Sequence, residues 1–483
     1  MSEPLSHEKT LTALDVTLYA VSAVLLIDQI AMTAAVGPAA IFWWLVVIVL
    51  FLIPNTLVTA ELGTSYPEQG GIYAWVRDAF NTRWAARITW QYWINIALWM
   101  PAVYIMFSGI FAALFFPDMS LWAQIGLGIA MCILTTWANC IRLSYSKWIP
   151  NIGTLTKFAV ILTLGGTGIA YGLKHGFVND IGFGAAMDDL KAGLVYLPVV
   201  VYGCLGMELI SAESDEIIDP KRNIPRAMLA GGLCAAGFYI FGTAGVLAAV
   251  PADDVDMVDI LAVTLQELFG GSELGSAFAL MVGGMALFTL FSTMVTWTLG
   301  GNRAAAEAAR AKEMPEIFGW VSKEHKSPVG AAILTGTISS AIMVVYGFMA
   351  NNLEDLFWTL FSFSAIIFLL PYIAMHLAFI KLRISDADHP RPFKIPGGDA
   401  MGYILSTLCI TILGMSILLF FWVPGEPLDL AFTLQVGAGV IITLAIGEYL
   451  VYRGEKLRAK EAGRQHGTLR HNSALTLARS FKC

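Results

Sequence analysis

The chain has 483 residues, of which 57% are hydrophobic and 13% charged, with a formal net charge of −7 and a mean hydropathy of +0.69. Soluble domains carry about a quarter charged residues, so this composition excludes an ordinary soluble protein and any basic nucleic-acid binder. The 45 glycines suit helices packed closely in lipid. Six cysteines (Cys132, Cys140, Cys204, Cys234, Cys409 and Cys483) show neither CxxC nor metal-ligand spacing.

In chain order, a short polar N-terminus (1–11) precedes twelve apolar stretches near 12–36, 39–63, 86–114, 121–140, 147–172, 191–213, 227–250, 275–301, 328–349, 355–380, 401–423 and 429–452. A bilayer core about 30 Å thick needs about 20 apolar residues at 1.5 Å each. Backbone groups in lipid must be satisfied within the segment, so each stretch predicts a helix. The expectation is an all-α polytopic membrane protein with one transmembrane domain (12–452) and a basic tail (453–483). Apart from Lys157, only Lys174 and Lys191 fall in loops on one side; the other 26 basic residues lie at the N-terminus, in the even-to-odd loops or in the tail. The positive-inside rule then places both termini in the cytoplasm. The tail carries eight Lys/Arg against two Glu and suits anionic inner-leaflet lipid. Asp253, Asp254, Asp256 and Asp259 crowd the outer loop after span seven, as an acidic vestibule or a plainly solvated loop.

Ionisable groups inside lipid are costly, by about 2.5–3.5 kcal/mol on insertion scales, and each needs a reason. Asp28, with Gln29 beside it, lies inside span one (VLLIDQIAM) and predicts a carboxylate for a substrate ammonium, or else a polar pair between helices. In span six (VVVYGCLGMELISAE), Gly203 and Gly206 weaken the helix near the midplane. They predict a broken span with Tyr202 as an aromatic lid over the substrate and Glu208 as a gate carboxylate. The competing reading is glycines for close packing and an interfacial Glu. Lys157 lies within span five; burial disfavours the charged form of lysine, which suits proton coupling, and snorkelling is the alternative. His376 and Glu448 are expected to serve packing, and Asp15 and Glu61 to sit at the membrane interface.

Three stretches carry a resemblance. AELGTSYPEQGGIYAWVRDAF (60–80), GMELISAESDEIIDPKRNIPRAM (206–228) and the run from Thr296 to Ala331, with Arg303, Met314-Pro315 and Ser327-Pro328, are similar to signatures of the amino acid–polyamine–organocation transporter superfamily. TLVTAEL in span two and Thr296-Trp297 in span eight look most similar to its glutamate/GABA antiporter branch. The resemblance implies a five-plus-five inverted repeat (LeuT-like), repeat one about 12–172 and repeat two about 191–380, with two extra helices about 401–452. It implies a substrate between broken spans one and six, Tyr202 as the occluding aromatic, Glu208 as the gate and Lys157 in place of a sodium. Many members carry Gly-x-Gly in span one, whose freed amides cradle a substrate carboxylate. Here the place reads Leu26-Ile27-Asp28-Gln29-Ile30. Asp28 would repel a carboxylate, so the expected substrate is an amine: a polyamine, a monoamine or a decarboxylated amino acid. Glutamate-type substrates remain open through Gln29 and the span-six amides.

The expected function is a secondary amino acid or amine permease of the plasma membrane, proton-coupled or exchanging, with no cofactor. A channel would show recurring pore segments, and a membrane enzyme a nucleophile–base or metal cluster. The chain has neither pattern. A nutrient sensor on the same scaffold stays open.

Overall fold

The structure is a computed structural model and describes residues 12–67, 71–141, 148–180, 194, 197–210, 217–322, 324, 327–425 and 427–480. The regular elements among the described residues are all helices, with no β-strand among them. Among the described residues, ten helices are long and apolar enough to cross a membrane. They are spans two (Ala39–Ser65), three (Thr82–Phe115), four (Leu121–Cys140), five (Trp148–His175), seven (Pro220–Ala249), eight (Glu273–Arg310), nine (Val329–Gly347), ten (Leu353–Ser385), eleven (Gly398–Leu419) and twelve (Leu430–Lys456).

The two remaining spans are broken. Span one is a helix over Ala13–Val24, a non-helical Leu25-Leu26, then a second helix over Ile27–Ala34. Span six is helical only over Leu197–Tyr202, unwinds through Gly203–Gly206 and resumes as a 3₁₀ turn at 207–210.

Several helices run past the apolar stretches. Span seven begins at Pro220 rather than 227, because the polar turn DPKRNIP is its first turn, with proline where a helix N-terminus tolerates it. Span eight extends to Arg310 through an alanine-rich stretch. Span twelve continues as helix to Ser480.

Burial separates an inner set from an outer one. Of its most apolar window, 78% is buried in span three and 22% in span twelve. Ile404, Leu418, Ile441 and Ile442 of the last two spans are exposed, as lipid-facing side chains are. Spans five and seven cross through glycine. A Cβ on Gly168 would fall 2.0 Å from the Gly245 carbonyl oxygen, and one on Gly245 would fall 2.4 Å from the Leu164 carbonyl oxygen. The two backbones are therefore in direct contact, as small residues permit in lipid.

Candidate functional site

Each break leaves main-chain groups without helical partners, and buried groups of that kind must find others. In span one, an unbroken helix would pair Leu26 N–H with the Ser22 carbonyl and Asp28 N–H with the Val24 carbonyl. Instead the Lys157 ammonium donates to the Ser22 carbonyl at 2.9 Å. The Tyr239 hydroxyl, from span seven, donates to the Val24 carbonyl at 2.6 Å and accepts from Leu26 N–H at 2.9 Å. Asp28 stands in the first turn of the helix Ile27–Ala34, 2% exposed. Its own N–H and that of Gln29 are directed at its carboxylate, and the Lys157 charge acts on it. The Trp99 indole is a further neighbour of the carboxylate, although its N–H completes no hydrogen bond. The charges match the helix ends: the anion is at an N-terminus and the cation at the C-terminus of Ala13–Val24.

In span six the break is built from glycine. Gly206 has φ +102°, which only glycine adopts without strain. Its N–H donates to the Tyr372 hydroxyl of span ten at 2.9 Å. That hydroxyl donates to Glu208 Oε1 at 2.7 Å, and the Tyr92 hydroxyl of span three donates to the same oxygen at 2.6 Å. Glu208 is thus a buried carboxylate held by two tyrosines from different spans, rather than an interfacial side chain.

The two breaks face each other. Gln29 Nε2 donates to the Val199 carbonyl at 2.6 Å. A Cβ on Gly203 would lie 2.9 Å from Gln29 Cδ, and one on Gly206 would lie 3.1 Å from Val24 Cγ2. Tyr202 ends the helical part of span six and rests on Phe361 and Phe368, with ring centroids 5.1 and 5.5 Å away. Asn95 and Asp28 also act on its hydroxyl. Trp99 meets Trp297 of span eight edge-on at 5.3 Å.

The structure therefore brings Asp28, Gln29, Tyr202, Gly203 and Gly206 into one centre, with Lys157 behind Asp28 and Glu208 beyond Gly206. Gln29 Oε1 and Asn95 Oδ1 are buried there without partners. With the Asp28 carboxylate they form a set of hydrogen-bond acceptors, which suits a cationic N–H donor. No group of three or more His, Cys, Asp or Glu side chains that could hold a metal ion occurs among the described residues.

Sequence alone gave no reason to single out Tyr92, Tyr239 or Tyr372. Their one signal is a hydroxyl in an apolar span, which needs a partner when buried but does not name it. Glu61, near the end of span two, is 2% exposed, with Arg383 Nε at 2.8 Å from Oε1 and Nη2 at 2.5 Å from Oε2. Ile395 N–H adds a third bond at 2.8 Å. His376 lies 3.2 Å from Asn55 Oδ1, and Glu448 pairs with Arg83 and Arg87 at the start of span three. The side chain of Asp15 and all of Lys191 lie outside the described residues.

The acidic loop after span seven is partly closed over. Met257 N–H reaches Glu354 Oε1 at 3.4 Å, and Asp256 Oδ1 accepts from Val258 N–H at 2.8 Å. Burial, then the charges of Asp256 and Glu354, push the Asp259 carboxyl up to about 6.

Two broken helices meeting at a buried, charged centre within a bundle of spans define a polytopic membrane transporter. Comparison with known proteins gives the family: the amino acid permease model matches residues 11–446, and the chain belongs to that family. The chain is 32% identical over 448 residues to a protein of Lactococcus lactis named as a probable agmatine/putrescine antiporter, covering 91% of this chain and 94% of the relative. It is 24% identical over 402 residues to the glutamate/gamma-aminobutyrate antiporter of the same organism, covering 77% of each. It is 26% identical over 384 residues to the human large neutral amino acids transporter small subunit 2, covering 75% of this chain and 66% of that protein. These relatives are transporters and not enzymes, and a transporter implies a small-molecule substrate.

Proposed function

We propose that this transporter exchanges cationic amines lacking a free carboxylate, such as polyamines, monoamines or decarboxylated amino acids, across the plasma membrane by alternating access. One observation carries the proposal: Asp28 stands, buried, in the first turn of the helix Ile27–Ala34, at the freed amides of span one. A helix N-terminus binds an anion, and here a side chain takes the position that the carboxyl group of an amino acid would need. A substrate then has to be without that group, and its ammonium meets Asp28, Gln29 Oε1 and Asn95 Oδ1. The name of the Lactococcus relative, an antiporter of two such amines, supports the same substrate class.

In this proposal Tyr202 closes over the amine, Gly203 and Gly206 let span six flex, and Glu208 with Tyr92 and Tyr372 gates the far side. Lys157 exchanges a proton as Asp28 gains and loses its substrate. The two halves, about 12–172 and 191–380, rock about the breaks, while 401–452 forms the added pair. The basic loops place both termini in the cytoplasm, with the tail against anionic lipid.

The test is counterflow of labelled putrescine in proteoliposomes. Removing one partner of a buried charge pair costs about 3–5 kcal/mol, so Asp28→Asn is expected to lower exchange by at least about a hundredfold. The proposal fails if that variant exchanges putrescine at the parent rate while glutamate competes fully.

A further inference from the structure

We propose that Tyr239 is the positioning residue that holds span one open at its break, and thereby sets Asp28 in its amine-binding place. The inference rests on the reading of Asp28 given above and deepens it. A phenol has one hydrogen to donate and lone pairs to accept, and Tyr239 uses both functions on the same interruption: Val24 carbonyl at 2.6 Å and Leu26 N–H at 2.9 Å.

These two groups belong to two of the helical bonds missing across the break in span one. Of the other two ends, the Ser22 carbonyl accepts from Lys157, and Asp28 N–H is directed at the Asp28 carboxylate. Three of the four ends of these two bonds are therefore held by Lys157 and Tyr239. Tyr239 alone serves both sides of the gap. Without its hydroxyl the cheapest repair is to restore the Leu26-to-Ser22 and Asp28-to-Val24 bonds or to let the segment fray. Either change moves the amide that now holds the Asp28 carboxylate.

The ring is fixed for the task. Tyr239 is fully buried and stacks on Trp44, with centroids 5.0 Å apart and planes at 20°. Trp44 in turn approaches Gly203 in the facing break. One helical turn further along span seven, Thr243 Oγ1 lies 2.7 Å from Thr33 Oγ1. That contact joins the same two spans by one side-chain hydrogen bond, away from the interruption.

The experiment compares Tyr239→Phe with Thr243→Val in the full chain. Counterflow of labelled putrescine separates KM from maximal rate, and hydrogen–deuterium exchange follows the peptide spanning residues 21–30. Leaving a buried main-chain group unpaired has a cost that corresponds to about tenfold in binding. Tyr239→Phe is expected to raise KM by about that factor, with maximal rate within about twofold, and to alter amide protection in 21–30 but not in span three. Thr243→Val is expected to leave KM and that peptide as in the parent. An unchanged KM in Tyr239→Phe overturns the proposal, as does an equal rise in Thr243→Val, which would mark loosened packing. Should the parent not transport putrescine, the amine reading falls. The exchange comparison then decides alone: a change confined to 21–30 in Tyr239→Phe upholds the role, and its absence overturns it.

Discussion

The breaks in spans one and six interrupt helices at facing positions, yet they are made by opposite means. Span six is interrupted from within: Gly203 and Gly206 remove helix preference, and Gly206 takes a backbone angle closed to other residues. Span one has no glycine at its break. Leu25 and Leu26 are good helix formers, and the interruption is held from outside by Lys157 and Tyr239. One gap is written in backbone freedom and the other in tertiary partners. A gap of the second kind brings charge to the site, because its partners are ionisable, whereas a glycine gap leaves room.

Three variants sharpen this contrast, in descending order of effect. Lys157→Ala withdraws the cation from Asp28 and leaves the Ser22 carbonyl without its partner; removal of one side of a buried charge pair costs about 3–5 kcal/mol. Putrescine exchange should fall by about a hundredfold and lose its dependence on a pH gradient, and retained pH dependence would remove Lys157 from proton coupling. Gly206→Ala acts on the glycine-made break. Strained φ costs of the order of 1–3 kcal/mol, and the new Cβ would sit 3.1 Å from Val24. Exchange should fall by about tenfold; an unaffected rate would show that this backbone angle is not needed for transport.

The smallest effect belongs to a carboxylate outside both breaks. With its folded value near 6 and an ordinary value of 3.8, Asp259 binds more protons folded than unfolded between those pH values. Stability from this group therefore declines as pH rises from about 4 to 6, and the full penalty is present above 6. Asp259→Asn should raise the melting temperature by about 1–2 °C at pH 7.5, and the gain should vanish below pH 4. An equal gain at both pH values would assign the effect to packing instead.

The contrast also explains what could be read from sequence. Hydropathy located the spans because lipid demands long apolar runs, and it missed the polar first turn of span seven because a helix does not end where the bilayer does. The span-six break was legible in two glycines. In span one the legible feature was the buried charge of Asp28, while the agents of the break were not, since Tyr239 is more than 200 residues away. The partner of Glu61 was hidden for the same reason: Arg383 lies 322 positions along the chain. Charge in lipid signals that a partner exists, and only the fold says which one.

The glycine crossing of spans five and seven has a mechanical consequence. Interlocked side chains act as teeth, so sliding two ordinary helices lengthwise means unmeshing ridges from grooves. Where Gly168 and Gly245 meet there are no teeth, only two smooth main chains at minimum separation. Such a seam fixes how far apart the axes stand while leaving little to resist shear along them. The helix that carries Lys157 and the helix that carries Tyr239 thus share a bearing, and a change of tilt in one can be taken up by the other without repacking between them.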